Sequence, residues 1–265
     1  MTSDLLAAVV AAARRSAEER VRSSGSGGVD RAAAARRPQG EAFRVSLRSA
    51  GVRVIAECKR RSPSRGVLRR EYDPVAIARG YAEGGAAAIS VLTEPTFFDG
   101  ALDHLRAVRD AVSVPLLRKD FIVTESQVVE SRAAGADAIL LIVAALDDAE
   151  LVRLLALARD LQLAVLVEVH DREELRRATG AGATLIGVNS RNLRTLRMAP
   201  QVFADLAPEL PRDATAVAES GLGSGGDLIA LKGLGYQAFL IGERFVTEPD
   251  PGRALAGLIR DAEGA

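Results

Sequence analysis

The chain has 265 residues, 48% of them hydrophobic, and its 35 Lys+Arg balance 35 Asp+Glu. That length suits one eight-fold α/β barrel of about 250 residues or two small domains, and the charge balance gives no support to a nucleic-acid or membrane-surface partner. Cys58 is the only cysteine and His104 and His170 are the only histidines, which excludes an internal disulfide and a multi-cysteine metal site and leaves little for a histidine-rich one.

Met1-Thr2-Ser3-Asp4 lacks a basic n-region, so the apolar stretch from Leu5 to Ala13 reads as helix rather than signal peptide. No apolar run approaches the about 20 residues of a membrane span, and a cytoplasmic protein is expected. Residues 1–21 are predicted helical, Ser23–Gly28 reads as a flexible loop that breaks any helix, and a second helical patch is expected at about 30–50. This first part of the chain carries no strand signal.

From residue 52 the texture changes. Apolar, β-rich runs recur at Val52–Glu57, Ala88–Leu92, Pro115–Leu117, Ala138–Val143, Ala164–Val169, Thr184–Val188, Thr215–Ala218 and Ala238–Ile241. Amphipathic helical stretches such as Asp73–Glu83 and Asp147–Leu161 lie between them. Near-continuous apolar character marks strands buried on both faces, as in a parallel sheet covered by helices. A weak repeat of helix end, glycine, small residue and strand recurs at Gly84–Ile89, Gly135–Ile139, Gly180–Ile186 and Gly233–Phe239. Eight such units predict a closed (β/α)8 TIM barrel, with residues 1–50 as an N-terminal helical extension on a single domain spanning 1–265. A doubly wound open sheet is the alternative, but its Gly-x-Gly-x-x-Gly fingerprint does not follow the first run, where Glu57–Arg61 stands instead.

In such a barrel the active site lies at the C-terminal strand ends. Those ends carry Glu57, Lys59 and Ser62; Thr93 and Glu94; Lys119 and Asp120; Glu168; Asn189 and Arg191; Glu219 and Ser220; Gly242 and Glu243. Only the fourth run ends without charge. Burying charge is costly unless it is paired or used, so charges clustered at one end of apolar strands point to a catalytic ring. Strand alternation puts Glu57 and Lys59 on one face, at the mouth, and turns Cys58 toward the helices as a core residue. The pair reads as a substrate-orienting couple or as a structural ion pair. Ser220, Gly221 and Gly242 leave backbone N–H groups open to an anion beside helix N-termini, the usual phosphate position of this barrel. The other reading of these small residues is turn chemistry alone. Phe98, Phe121 and Leu140 are expected at the same mouth and suit a flat apolar ring, although each singly reads as core. His104 is expected on a solvated helix surface and His170 at the rim.

Five strings carry a resemblance: Ile55-Ala56-Glu57-Cys58-Lys59-Arg60-Arg61-Ser62-Pro63-Ser64, Leu117-Arg118-Lys119-Asp120-Phe121-Ile122-Val123, Val167-Glu168-Val169-His170, Gly187-Val188-Asn189-Ser190-Arg191-Asn192-Leu193 and Ala218-Glu219-Ser220-Gly221. In this order and spacing, from about residue 52 onward, they closely resemble the indole-3-glycerol phosphate synthase family of tryptophan biosynthesis. The resemblance implies conversion of 1-(2-carboxyphenylamino)-1-deoxyribulose 5-phosphate to indole-3-glycerol phosphate, CO₂ and water, without metal or cofactor. It implies Lys119 as the ring-closing acid, Glu168 as its acid/base partner and Glu57 as holder of the charge network. Lys59 contacts the substrate's anionic groups, and the resemblance leaves open whether Lys59 or Glu168 serves the dehydration. Asn189 and Arg191 orient the substrate. Ser62, Glu219, Ser220, Gly221, Gly242 and Glu243 fall at the substrate and phosphate positions, and Phe98, Phe121 and Leu140 at the anthranilate pocket. The family also implies an extra helix, within residues 1–50, over the barrel mouth.

The expected partner is a small phosphorylated substrate, with no nucleic acid or membrane, for a monomer or weak homo-oligomer. The chain departs from the family pattern twice. Glu243 stands where many relatives carry Ser: harmless if the contact is a backbone N–H, repulsive if the side chain faces phosphate. Arg61 stands where a small residue is common and is expected to point outward. A Schiff-base aldolase, a related isomerase and a non-catalytic binding barrel remain as alternatives. The first requires a desolvated lysine of lowered pKa, whereas carboxylates beside Lys119 or Lys59 would raise it.

Overall fold

The computed structural model describes residues 5–24, 26–35 and 39–264, so the helical readings at 1–4 and 36–38 and the loop reading at Gly25 lie outside the described residues. Eight parallel strands close into a barrel: β1 Arg53–Cys58, β2 Ala88–Leu92, β3 Leu116–Lys119, β4 Ala138–Ile142, β5 Ala164–Val169, β6 Leu185–Asn189, β7 Thr215–Glu219 and β8 Ala238–Ile241. The ring shuts at β1, where Ile55 lies opposite Ala88 of β2 on one side and Leu240 of β8 on the other. Alternate residues of each strand serve two separate cores. Ile55, Leu117, Leu140, Leu166, Val217 and Leu240 fill the barrel, whereas Cys58, Val91, Ile139, Val167 and Phe239 pack outward against the helices.

The strands β3, β6 and β7 extend past their apolar runs to Lys119, Asn189 and Glu219. Their polar side chains project into the mouth while their backbones keep pairing, as Asn189 does opposite Glu219. The intervening helices start where the local chemistry satisfies their first N–H groups. Asp73 caps helix Pro74–Glu83, and Asp147 forms a capping box with Glu150 at the start of helix Asp148–Asp160. Among the described residues no helix is long and apolar enough to cross a membrane.

The N-terminal extension forms three helices: α1 Leu5–Ser24, α2 Ser26–Ala35 and α3 Gly40–Arg48. The stretch expected to be a flexible loop is therefore helical on both sides of Gly25. Packing of α2 on helix Glu125–Ala134 supplies the tertiary support that outweighs the weak helix propensity of Ser and Gly. α1 lies against the mouth, where Leu6 and Val9 join Phe97, Phe98, Ala144 and Ala145, and Arg14 pairs with Glu150 at 2.7 Å.

α3 corrects the placement of the whole extension over the mouth, because it closes the opposite end. Its Phe43 and Leu47 are fully buried and plug the bottom of the inner core. Arg48 donates to Thr215 Oγ1 (2.6 Å) and to the Asp213 carbonyl (2.9 Å) at the start of β7. Gly40 sits so tightly on the Gln162–Ala164 backbone that a Cβ there would collide with it.

Candidate active site

A cavity of about 530 Å³ opens at the C-terminal strand ends. Glu57, Lys59, Ser62, Phe98, Lys119, Phe121, Leu140, Glu168, Asn189, Arg191, Glu219, Ser220, Gly221, Gly242 and Glu243 all line it. At its floor Lys119 Nζ donates to Glu168 Oε2 (2.8 Å) and to Glu219 Oε2 (3.2 Å). Glu57 forms a second couple with Lys59, 2.5 Å away. The resemblance implied Glu168 as the partner of Lys119 and Glu57 as holder of the charge network, and it grouped Glu219 with the substrate-binding residues. Direct contact instead falls to Glu168 and Glu219, and Glu57 acts on Lys119 from farther off.

Two glycines make this density of carboxylates sterically feasible. A Cβ at Gly187 of β6 would strike the Glu219 carboxylate, and one at Gly242 would strike that of Glu57. The carboxyls thus lie flat over bare backbone instead of standing up into the cavity.

The electrostatics divide the cluster. For Lys119, burial works against the ammonium, but the fields of Glu168, Glu219 and Glu57 outweigh it and keep the lysine protonated. For Glu168, burial pushes the carboxyl up, but Lys119 and then His170 override it and hold the group well below the usual carboxylate range. Glu219 goes the other way: burial, only partly offset by Lys119 and reinforced by Glu168, pushes it up to about 8. Their surroundings thus push the two carboxyls in opposite directions, Glu168 down and Glu219 up.

The apolar side of the cavity is built by buried polar groups. Glu94 accepts the N–H groups of Thr96, Phe97 and Phe98, which fixes the short helix Pro95–Phe98. Phe98 meets Phe121 with ring centroids 6.5 Å apart. Phe121 is held by Asp120, whose carboxylate accepts its N–H at 2.9 Å. Asp120 in turn pairs with fully buried Arg118, which also reaches Glu130 at 2.9 Å. Arg118 is a residue that reading strand ends alone overlooked. Its signal was its parity, since a charged residue between inward Leu117 and Lys119 must face the helices and find partners there.

On the opposite wall, Asn189 Oδ1 accepts the Arg191 N–H at 2.9 Å. Ser220 and Gly221 both adopt left-handed backbone, with φ of 68° and 74°. For Ser220 that is a strained conformation, of the kind found at ligand clamps. Ser62 is buried in the loop after β1 and accepts from Arg65 N at 3.3 Å. Arg61 is exposed. The Glu243 side chain does face the cavity, but it is neutralised there, with Arg65 Nη1 at 2.6 Å and Arg191 Nη2 at 4.0 Å.

The histidines differ from expectation. His104 is half-buried against the Tyr72 ring, 5.6 Å between centroids, and burial lowers its pKa. His170 stands behind Glu168, with Nε2 3.3 Å from Glu168 Oε1 and Nδ1 2.9 Å from Glu174 Oε2. Cys58 is buried facing the helices, where desolvation and then Glu57 raise its pKa and leave the thiol inert.

Comparison with known proteins bears on the fold and the family. The barrel resembles a thiamine phosphate pyrophosphorylase from Pyrococcus furiosus, with a TM-score of 0.61 at 17% identity over 80% of this chain and 96% of that one. At that identity the likeness concerns the fold alone. An indole-3-glycerol phosphate synthase from a Nocardioides species is 56% identical over 209 residues, 79% of this chain and 80% of its own. Namesakes from Variovorax paradoxus (50% over 223 residues, 83% and 84% of the two chains) and Mycolicibacterium smegmatis (53% over 215 residues, 81% and 79%) are similarly close. A sequence model described as indole-3-glycerol phosphate synthase matches residues 6–258, nearly the whole barrel and its extension, and with these relatives it shows that the chain belongs to the indole-3-glycerol phosphate synthase family.

Proposed function

We propose that this cavity performs the family's ring closure with Lys119 as the acid, and that the observation carrying the assignment is Lys119 held between Glu168 and Glu219 on the cavity floor. The substrate's aromatic carbon, the one bearing the carboxylate, attacks the ribulose carbonyl. A proton must reach that oxygen as the carbon–carbon bond forms. An ammonium kept charged by buried carboxylates is placed to give it. Loss of CO₂ then restores aromaticity. The leaving hydroxyl is the former carbonyl oxygen, so its acid must stand where the first one stood. Protonated Glu219 beside Lys119 supports recharging of the lysine for that second donation. Ionised Glu168 is the base for the proton lost from the new five-membered ring. Lys59, held by Glu57, and Arg191, held through Asn189, are assigned to the substrate's anionic groups. Phe98, Phe121 and Leu140 receive the anthranilate ring, and the Ser62, Ser220–Gly221 and Gly242–Glu243 backbone receives phosphate.

A Schiff-base route is disfavoured because three carboxylates keep Lys119 protonated. We place the reaction in the cytoplasm, on a free phosphorylated small molecule, in a monomer or weak homo-oligomer with neither nucleic acid nor membrane as partner. The balanced charge supports the absence of a nucleic-acid partner. Incubating the purified protein with the carboxyphenylamino substrate and following indole fluorescence tests the reading. Folded protein that yields no indole product would overturn it.

A further inference from the structure

Two carboxylates share the Lys119 ammonium, and among the described residues Glu168 also faces the ring of His170. His170 lies outside the cavity lining, its side chain 11% exposed, at the turn from β5 into helix Arg172–Gly180. Each of its ring nitrogens faces a carboxylate. Nδ1 is hydrogen-bonded to Glu174 Oε2 at 2.9 Å, and Nε2 lies within ion-pair distance of Glu168 Oε1, 3.3 Å away, without hydrogen-bond alignment. A neutral imidazole has one N–H and one lone pair, so one of these contacts would set lone pair against anion. Only the imidazolium makes both contacts attractive.

Glu174 is well fixed. It sits in the first turn of its helix, its N–H bonded to the Asp171 cap (2.9 Å), and its Oε2 also accepts the His170 N–H at 2.8 Å. Arg177, one turn on, is engaged with Asp148 at 2.6 Å. The charged groups around Glu168 are therefore Lys119 from β3, Glu219 from β7 and His170 from its own strand, with Glu57 of β1 acting on Lys119 from farther off.

We infer that His170, as an imidazolium bridging Glu168 and Glu174, is a positioning residue that makes Glu168 the ionised member of the carboxylate pair on Lys119 and leaves the shared proton on Glu219. Like charges crowded on one ammonium cannot both stay ionised, so the proton settles on the carboxyl with fewer cations. The burial-driven rise of Glu219 to about 8 and the rise of His170 to about 10, where its two carboxylates overcome desolvation, agree with this division. The inference deepens the acid–base assignment above and rests on Glu168 being the base.

Two measurements test it. In ¹⁵N-histidine NMR of the intact protein, with His104→Gln to assign the resonances, His170 is expected to show both ring nitrogens protonated at about pH 8, where free imidazole is neutral. A neutral His170 tautomer at that pH would overturn the inference, and this readout does not depend on the enzyme's reaction. The second measurement is kcat against pH for wild type, His170→Asn and Glu174→Gln. Loss of the cation raises Glu168, so the acidic limb is expected to move up by about one pH unit or more in His170→Asn, and by less in Glu174→Gln. KM is expected to stay within about twofold, since His170 does not touch substrate. A lowered melting temperature with a uniform loss of rate and an unmoved limb would reduce His170 to a structural part. Absence of indole product from the wild type would instead sink the reaction assignment and leave the NMR result to decide the role of His170.

Discussion

Lys119 on β3 and Glu219 on β7 are 100 residues apart in the chain, yet Nζ and Oε2 meet at 3.2 Å across the floor of the barrel. Together with Glu168 they form a cluster in which one ammonium serves two buried carboxyls that their surroundings push in opposite directions. Removing any one member changes the charge state of the others.

Lys119→Met is expected to lose at least about 10²-fold in kcat, the scale of general acid catalysis. It should still bind inorganic phosphate or a phosphate-bearing analogue at the proposed site on the loops after β7 and β8. Turnover within a few-fold of wild type would remove Lys119 from the chemistry. Single-turnover kinetics and a phosphate titration on one preparation separate the outcomes.

Glu219 contributes to stability with a definite sign. Its folded value of about 8 lies above its ordinary 4.5, so the folded state binds the extra proton. The contribution is fully present below the ordinary value and is lost as pH rises through about 8. His170, raised from 6.5 to about 10, loses its contribution over that higher window. Wild-type melting temperature should therefore fall from mildly acidic to alkaline pH. Glu219→Gln should flatten the lower part of that fall and leave the upper part, which His170→Asn should flatten instead. Parallel melting curves in Glu219→Gln and wild type would show that Glu219 does not hold the proton.

At the phosphate end, Glu243 is an internal anion on Arg65 and Arg191. Glu243→Ser should free both guanidiniums for the substrate. KM is expected to fall by about two- to fivefold, the size of an exposed ion-pair contribution, with kcat little changed. Arg65→Ala should raise KM by a similar factor. In crystals grown with sulfate the anion should sit near the N–H groups of Gly221 and Glu243. A higher KM in Glu243→Ser would mean that the carboxylate positions Arg65 for the substrate.

Phe43 of α3 is fully buried at the end of the barrel remote from the cavity. Phe43→Ala should cost about 3–5 kcal/mol of stability, the range for deleting a buried aromatic ring. At temperatures where the variant is folded, kcat and KM should stay near wild type. Denaturant unfolding with steady-state kinetics on the same samples checks both halves. A large kcat loss in folded protein would show that α3 communicates with the site.

The eight-fold plan was legible in the residues alone, because a strand buried on both faces must be nearly continuous in apolar character, and each run here is, broken only by residues such as Arg53, Glu57, Ser90 and Glu168. The mouth was legible too, because the charged residues ending those runs have only that end of the barrel in which to lie. Strand parity placed Glu57 with Lys59 and turned Cys58 toward the helices, as the structure has them. Which carboxylates meet Lys119 was settled by folding. Parity says that a side chain faces inward, whereas its partner across the barrel depends on the closed ring and on the room left by Gly187 and Gly242. Tertiary packing likewise made helix on both sides of Gly25 in a segment whose local chemistry favours a loop, and it drew α3 to the far end of the barrel, where Phe43 and Leu47 fill the inner core. The fates of Glu243 and His170 were settled in the same way. A lone carboxylate or imidazole in a sequence has no visible partner, and here folding brings Arg65 to Glu243 and both Glu168 and Glu174 to His170.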